Sequence, residues 1–177
     1  MNGLPLHPAL VHVPIGLAMI LPLLALAVAW AIRREKLPRR GWLLVIGLQA
    51  VVLAGAFAAQ WAGDKEAERV KTVVPKAAIE EHEERADIFI WAAGLTLALA
   101  VAAMAVPGPR LRQVLVLGTV AGTVAVAGLA AWVGEAGGGL VHVYLVRHEV
   151  AMPGPGGVFR AGGVPLDGAK QGESDDP

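Results

Sequence analysis

The chain has 177 residues, of which 55% are apolar and 17% charged, and its formal net charge at pH 7 is zero. Soluble domains are about half apolar but about a quarter charged, so this balance, with a mean hydropathy of +0.57, favours a membrane protein. The sequence has no basic patch and no cysteine, so it predicts no nucleic-acid partner and excludes disulfides, thiolate metal sites and covalently attached haem.

Four stretches of about twenty uncharged residues follow one another, and each is long enough to cross about 30 Å of hydrocarbon as a helix. We predict transmembrane spans at residues 11–32, 41–62, 86–106 and 114–133. Together they make residues 1–152 an all-α domain, an integral membrane four-helix bundle in contact with the lipid bilayer. Residues 153–177 are rich in Gly and Pro and too polar to form a core, so we predict a disordered tail.

The first span contains two prolines, Pro14 and Pro22. Because proline is tolerated in the first turn of a helix and disrupts its interior, Pro14 predicts the true helix start, with residues 7–13 as a tight segment leading into it. Pro22 predicts a kink, which neighbouring helices in a membrane can accommodate. We expect this span to be a lasting helix and not a cleaved signal peptide, because no basic residue precedes it and no small-residue cleavage site follows.

The charges of the loops predict the orientation. Residues 33–40 contain five basic residues and one acidic residue, and residues 107–113 contain two basic residues and no acidic one. Residues 63–85, in contrast, contain five basic and seven acidic residues. Since Lys and Arg accumulate on the cytoplasmic side, the first and third loops are predicted to face the cytoplasm. This gives a multi-pass protein of the inner (plasma) membrane with both termini outside, on the periplasmic or extracellular side.

All five tryptophans lie near the ends of predicted spans. Indole rings favour the headgroup region, so the sequence predicts one aromatic belt at each membrane surface. The inner belt would hold Trp30 and Trp42, and the outer belt Trp61, Trp91 and Trp132.

Small residues recur at four-residue spacing in two of the spans. They are Gly55, Ala59 and Gly63 in the second span, and Gly118, Thr119, Gly122 and Thr123 in the fourth. Such spacing lets helix backbones approach closely in lipid. In a chain this rich in Ala and Gly it favours packing within the bundle over a dedicated dimer motif, although it leaves a homo-oligomer open.

The five histidines are the best candidates for a functional site, because all of them border spans on the predicted outer side. They are His7, His12, His82, His142 and His148. Neutral imidazole is an axial ligand of haem iron, and helix bundles build such sites from facing helices. We predict haem b bound by His12 and His82, with His7 and His148 as alternative ligands. Arg85 and Arg147 are placed to pair with the haem propionates.

A single transition-metal ion is the alternative occupant of the same site. Its candidate ligands are His7, His12, His82, His148 and Glu149, a set that suits zinc, copper or iron. A histidine near a helix end can also hydrogen-bond the backbone, a headgroup or water, so the cluster is equally compatible with no ligand.

Familiar catalytic patterns are missing from the sequence. It has no nucleophile elbow, phosphate-binding loop or paired catalytic carboxylates, and His82 with Glu83 lacks the second histidine of an HExxH helix. The interiors of the spans carry no charge, which argues against an ion-coupled transporter. We therefore predict no catalytic residue, and an electron carrier or binding subunit in preference to a stand-alone enzyme.

The segment His7–Ile15, HPALVHVPI, is similar to the HPxxVHFPI opening of a bacterial membrane family catalogued as domain of unknown function 2231. Further matching segments make the resemblance cover nearly all of residues 1–152. They are Ala62-Gly63-Asp64, His82 with Ala86, Gly137 to Val141, and Arg147-His148. Val13 stands where the family usually has Phe, Glu149 stands where Gly is common, and the segment around His142 is longer.

The resemblance implies a four-span membrane protein and carries no established activity. Some relatives are fused to Rieske-type redox domains, which by analogy favours electron transfer. The leading hypothesis is a small b-type cytochrome-like subunit that exchanges electrons with a redox partner protein near the outer membrane surface. The alternative is a non-enzymatic membrane scaffold or partner subunit whose histidines bind a metal ion or nothing.

Overall fold

The computed structural model is an all-helical bundle; it describes the backbone of residues 6–70 and 75–139 and the side chains of residues 12–64 and 75–138. Within these ranges its elements are α1 (Leu6–Arg33), a 3-10 turn (Arg39–Gly41), α2 (Trp42–Val70), α3 (Lys76–Ala105) and α4 (Pro109–Gly139). All four α-helices are long and apolar enough to span a membrane, which confirms the predicted fold class. The side on which the termini lie stays a prediction, and the predicted tail, residues 153–177, lies outside the described residues.

The helices alternate in direction, and α1 closes the bundle against α4. We call the end that holds the start of α1 and the end of α4 the outer end, after the predicted orientation. There α2 continues to Val70 and α3 begins at Lys76, so the connection is much shorter than the predicted loop of residues 63–85. With 30 residues, α3 is about 45 Å long, against about 30 Å of hydrocarbon, so part of it stands outside the apolar layer.

Buried positions recur on each helix at alternating three- and four-residue spacing, the pattern of a left-handed bundle. On α1 they are Pro14, Ala18, Leu21, Ala25 and Val28. On α3 and α4 they include Phe89, Ala93, Thr96, Ala100 and Ala103, then Thr119, Thr123, Val126 and Ala130. Every helix therefore presents one heptad stripe to the core.

The outward faces of the helices are apolar as well. Leu23, Val51, Leu95 and Val124, one on each helix, are all exposed although they lie in the middle of a span. A helix that is apolar all round is typical of a membrane span, because lipid and not water surrounds it. This surface supports the prediction that the bundle contacts the bilayer.

The prediction that Pro14 begins the first helix is wrong. α1 begins at Leu6, and residues 7–13 are helical. Pro14 is buried inside α1 and packs on α2, where a Cβ built on Gly55 would lie 3.1 Å from the proline Cβ. Membrane helices tolerate an interior proline where neighbouring helices compensate for the missing hydrogen bond.

Two side chains fasten the inner end of the bundle to α3. The Arg39 guanidinium donates to the carbonyl oxygens of Met104 and Val106, at 2.5 and 3.0 Å, and so caps the negative end of the α3 dipole. Trp42 does not face the membrane surface as the inner-belt prediction required. It is only 3% exposed, and its indole N–H donates to the carbonyl oxygen of Ala100 at 3.0 Å, because its position falls on the core stripe of α2.

α1 ends in a Schellman turn that forces Glu35 into the left-handed region, at φ 58°. The Lys36 amide donates to the carbonyl of Ala31 and the Glu35 amide to that of Ile32. We expect Glu35→Gly to stabilise the protein by about 0.5–1 kcal/mol, because glycine adopts this conformation without strain. The midpoint of SDS-induced unfolding measures the change. Glu84→Gly, inside α3, is the matched control and should destabilise by a similar amount.

Candidate functional site

His82 lies at the outer end of α3 in core register, one heptad before the buried Phe89. Its side chain is half-buried and packs against α4. A Cβ built on Gly137 would lie 3.2 Å from the imidazole Cε1, so the absence of a side chain there lets the ring approach the α4 backbone. Gly137 is itself one heptad after the buried Ala130. His82 and Gly137 thus both continue the buried faces of their helices, and they contact each other.

His12 lies on α1 at a similar depth. One turn further in, the Ile15 side chain lies 3.8 Å from a Cβ built on Gly134 of α4. Because α1 and α4 are antiparallel and three residues rise by about 4.5 Å, His12 reaches the level of Gly137 and hence of His82. The His12 side chain is exposed, however, and its position lies off the core stripe of α1.

His7 has the complementary placement on the same helix. The α1 backbone is helical at this residue, which stands one heptad before Pro14 and two before Leu21, both buried. Its position therefore continues the core stripe, about two turns further out than Pro14. The side chain of His7 lies outside the described residues.

Arg85 lies one turn inside His82, and α3 and α4 hold its guanidinium from both sides. Nη1 donates to the carbonyl oxygen of Trp132 at 3.2 Å, and the group sits 4.5 Å from the centre of the Trp132 ring. Glu81, one turn back on α3, forms an ion pair with it. The side chain is only 18% exposed, and the buried Nε atom makes no hydrogen bond with the described residues. One N–H of this largely buried cation therefore has no acceptor among the described residues.

Most of the remaining predicted site residues cannot be placed by the described part of the chain. Among its side chains, no group of three or more His, Cys, Asp or Glu could hold a metal ion. The predicted residues Arg147, His148 and Glu149, with His142, lie outside the described residues. The haem and metal sites thus stay predictions, and the described geometry bears on His82, His12 and Arg85.

A buried polar side chain that was not predicted from the sequence lies deeper in the bundle. Gln49 of α2 is completely buried, and its Nε2 donates to the carbonyl oxygen of Ala93 at 3.0 Å. Three buried threonines of α3 and α4 bond to carbonyls of their own helices. The buried Oε1 atom of Gln49 accepts no hydrogen bond from the described residues. An uncharged amide inside an otherwise apolar run was the signal that could have revealed it.

Comparisons with known proteins give one match. The family model described as predicted membrane protein (DUF2231) matches residues 3–149, a range that includes all four helices and all five histidines. No curated protein and no solved structure matches the chain.

Proposed function

The chain belongs to DUF2231, a family of predicted membrane proteins, and we propose that it is an electron-carrying subunit that binds a b-type haem at the outer end of its bundle. One observation carries this proposal. The imidazole of His82 lies in core register and packs closely against α4, because Gly137 has no side chain to keep the ring away. A histidine placed on the inner stripe of a bundle is the arrangement from which axial haem ligands are built.

The second axial ligand comes from α1 in this proposal. A ligand opposite His82 has to lie at the same depth and to face the core. His12 lies at the depth of His82 and His7 lies in core register, so each meets one of these two requirements. Arg85, a largely buried cation one turn from His82, supplies the positive charge that a propionate needs. Bis-histidine haem b exchanges single electrons, and the protein sets its potential through ligand orientation and burial.

The test is an absorption spectrum of the detergent-purified protein, oxidised and then dithionite-reduced, with a metal assay on the same sample. We expect a Soret band that sharpens on reduction, with resolved α and β bands, from six-coordinate iron. His82→Ala should abolish this six-coordinate spectrum. His7→Ala and His12→Ala, made separately, identify the second ligand, because only its loss gives a five-coordinate spectrum.

Glu84→Gln, on the exposed side of α3, is the matched control and should leave the spectrum unchanged. A colourless protein with one metal ion per chain would replace haem by the metal alternative. A protein that stays colourless and metal-free after haem supplementation during expression would refute the proposal. It would favour the scaffold or partner-subunit alternative.

A further inference from the structure

A groove of about 270 Å³ runs between α2 and α3 on the outward surface of the bundle. Its apolar lining comes from Leu53, Phe57, Ile90 and Trp91, and its polar end from Gln60 and Asp87. Gln60 and Leu53 are seven residues apart on α2, and Asp87 and Gly94 are seven residues apart on α3. The groove therefore extends about 10 Å along the helices.

Within the described residues, no other helix covers this groove. Trp91 is 80% exposed and Phe57 more than half exposed, although both belong to membrane-spanning helices. A Cβ built on Gly94 would meet nothing within 4 Å, so the inner part of the groove is open space. An acyl chain is the shape of ligand that fits an apolar channel parallel to the helices.

The polar end carries a negative charge. The Gln60 amide Nε2 donates to Asp87 Oδ1 at 2.7 Å, a bond that orients the carboxylate without neutralising it. The neighbouring basic side chains of α3 pair elsewhere, Lys76 with Glu80 and Arg85 with Glu81. Asp87 therefore presents its charge at the end of the apolar channel, close to the predicted outer headgroup level.

We propose that this α2–α3 groove binds a phospholipid with a primary ammonium headgroup. The ammonium lies on the Asp87 carboxylate, where it can both pair with the charge and donate a hydrogen bond. The Trp91 ring adds a cation–π surface beside it, and one acyl chain follows the apolar lining. A quaternary ammonium headgroup cannot donate the hydrogen bond, and an anionic glycerol headgroup is repelled. This inference is independent of haem binding.

The test uses the full-length protein in nanodiscs that contain phosphatidylethanolamine, phosphatidylcholine or phosphatidylglycerol with brominated acyl chains. Bromine quenches nearby tryptophan fluorescence, and subtraction of the Trp91→Phe variant isolates the signal of the groove. We expect relative binding of the ethanolamine lipid to exceed that of the other two by about two- to fivefold, the range of an exposed ion pair. Equal quenching by the three lipids would overturn the proposal.

Variants sharpen the test. Asp87→Asn should abolish the preference, whereas Asp64→Asn, which removes an exposed carboxylate outside the groove, should retain it. A preference that survives in Asp87→Asn would overturn the proposal. Gly94→Leu fills the open part of the groove and should lower Trp91 quenching by all three lipids. If Asp87→Asn does not fold, Gly94→Leu decides, since unchanged quenching in that variant also overturns the proposal.

Discussion

Gly122→Ala is expected to destabilise the bundle by about 1–3 kcal/mol, and a larger side chain at this position by more. The new Cβ would lie 2.6 Å from Thr96 Oγ1 and 3.0 Å from its Cγ2. Relief requires either that α3 and α4 separate or that Thr96 changes rotamer. The second route breaks its hydrogen bond to the carbonyl oxygen of Ala92, at 2.8 Å, in a buried site.

SDS-induced unfolding of the purified protein measures this effect against two references. Gly118→Ala is the matched control, because its Cβ would meet only Leu99 at an ordinary 3.8 Å, and it should be neutral or mildly stabilising. Thr96→Ala removes the Oγ1 and Cγ2 atoms that a Cβ at position 122 would meet. The substitutions Gly122→Ala and Thr96→Ala should therefore show a coupling energy of about 1 kcal/mol or more. Equal losses in Gly118→Ala and Gly122→Ala would contradict the close approach.

Gln49→Ala is expected to cost about 2–5 kcal/mol, because it opens a cavity in a completely buried site and removes the bond to α3. Gln49→Met keeps the volume and should be as stable as the native protein, or up to about 2 kcal/mol more stable. The lost interhelical bond is worth only about 0.6 kcal/mol in a membrane, whereas an unsatisfied buried oxygen costs about 1–3 kcal/mol. The Ala93 carbonyl keeps its own helical bond in both variants.

The same unfolding assay separates these effects from a general loss of side chain. Val51→Ala, on the exposed face of α2, is the control and should change stability by no more than about 0.5 kcal/mol. If Gln49→Met lost as much stability as Gln49→Ala, the Oε1 atom would have to be satisfied in the membrane, for example by an internal water.

The predicted close packing of small residues shows how far the sequence pattern reaches. Gly118 and Gly122 lie four residues apart on α4, and each is followed by a threonine. Of these two, only Gly122 lies too close to another helix to accommodate a Cβ, because the rotation of α4 places it against Thr96. Spacing alone defines a face of a helix, whereas the identity of the contacting residue depends on the facing helix.

The candidate site could likewise be predicted only in part from the sequence. Histidines at span ends could be recognised from the sequence, but their order of preference could not. From the sequence, His12 was predicted as the α1 ligand and His7 only as an alternative, before the register of α1 was known. Because α1 continues through Pro14 to Leu6, the core register passes through His7 instead, and His12 lies to one side. Asp87 and Gln60 could not be predicted as binding residues from the sequence, because their role depends on a groove that forms between two helices.

The four membrane helices and their approximate limits in the apolar layer could be predicted from the sequence. Hydropathy summed over about twenty residues is a local property, and in lipid every backbone group must be satisfied within the helix. Which side of each helix faces the core became known only from the packing of the four helices. That choice placed Trp42 and Gln49 inside and set His82 against Gly137. When both faces of a helix are apolar, hydrophobicity cannot select its rotation, so close packing against neighbouring helices decides it.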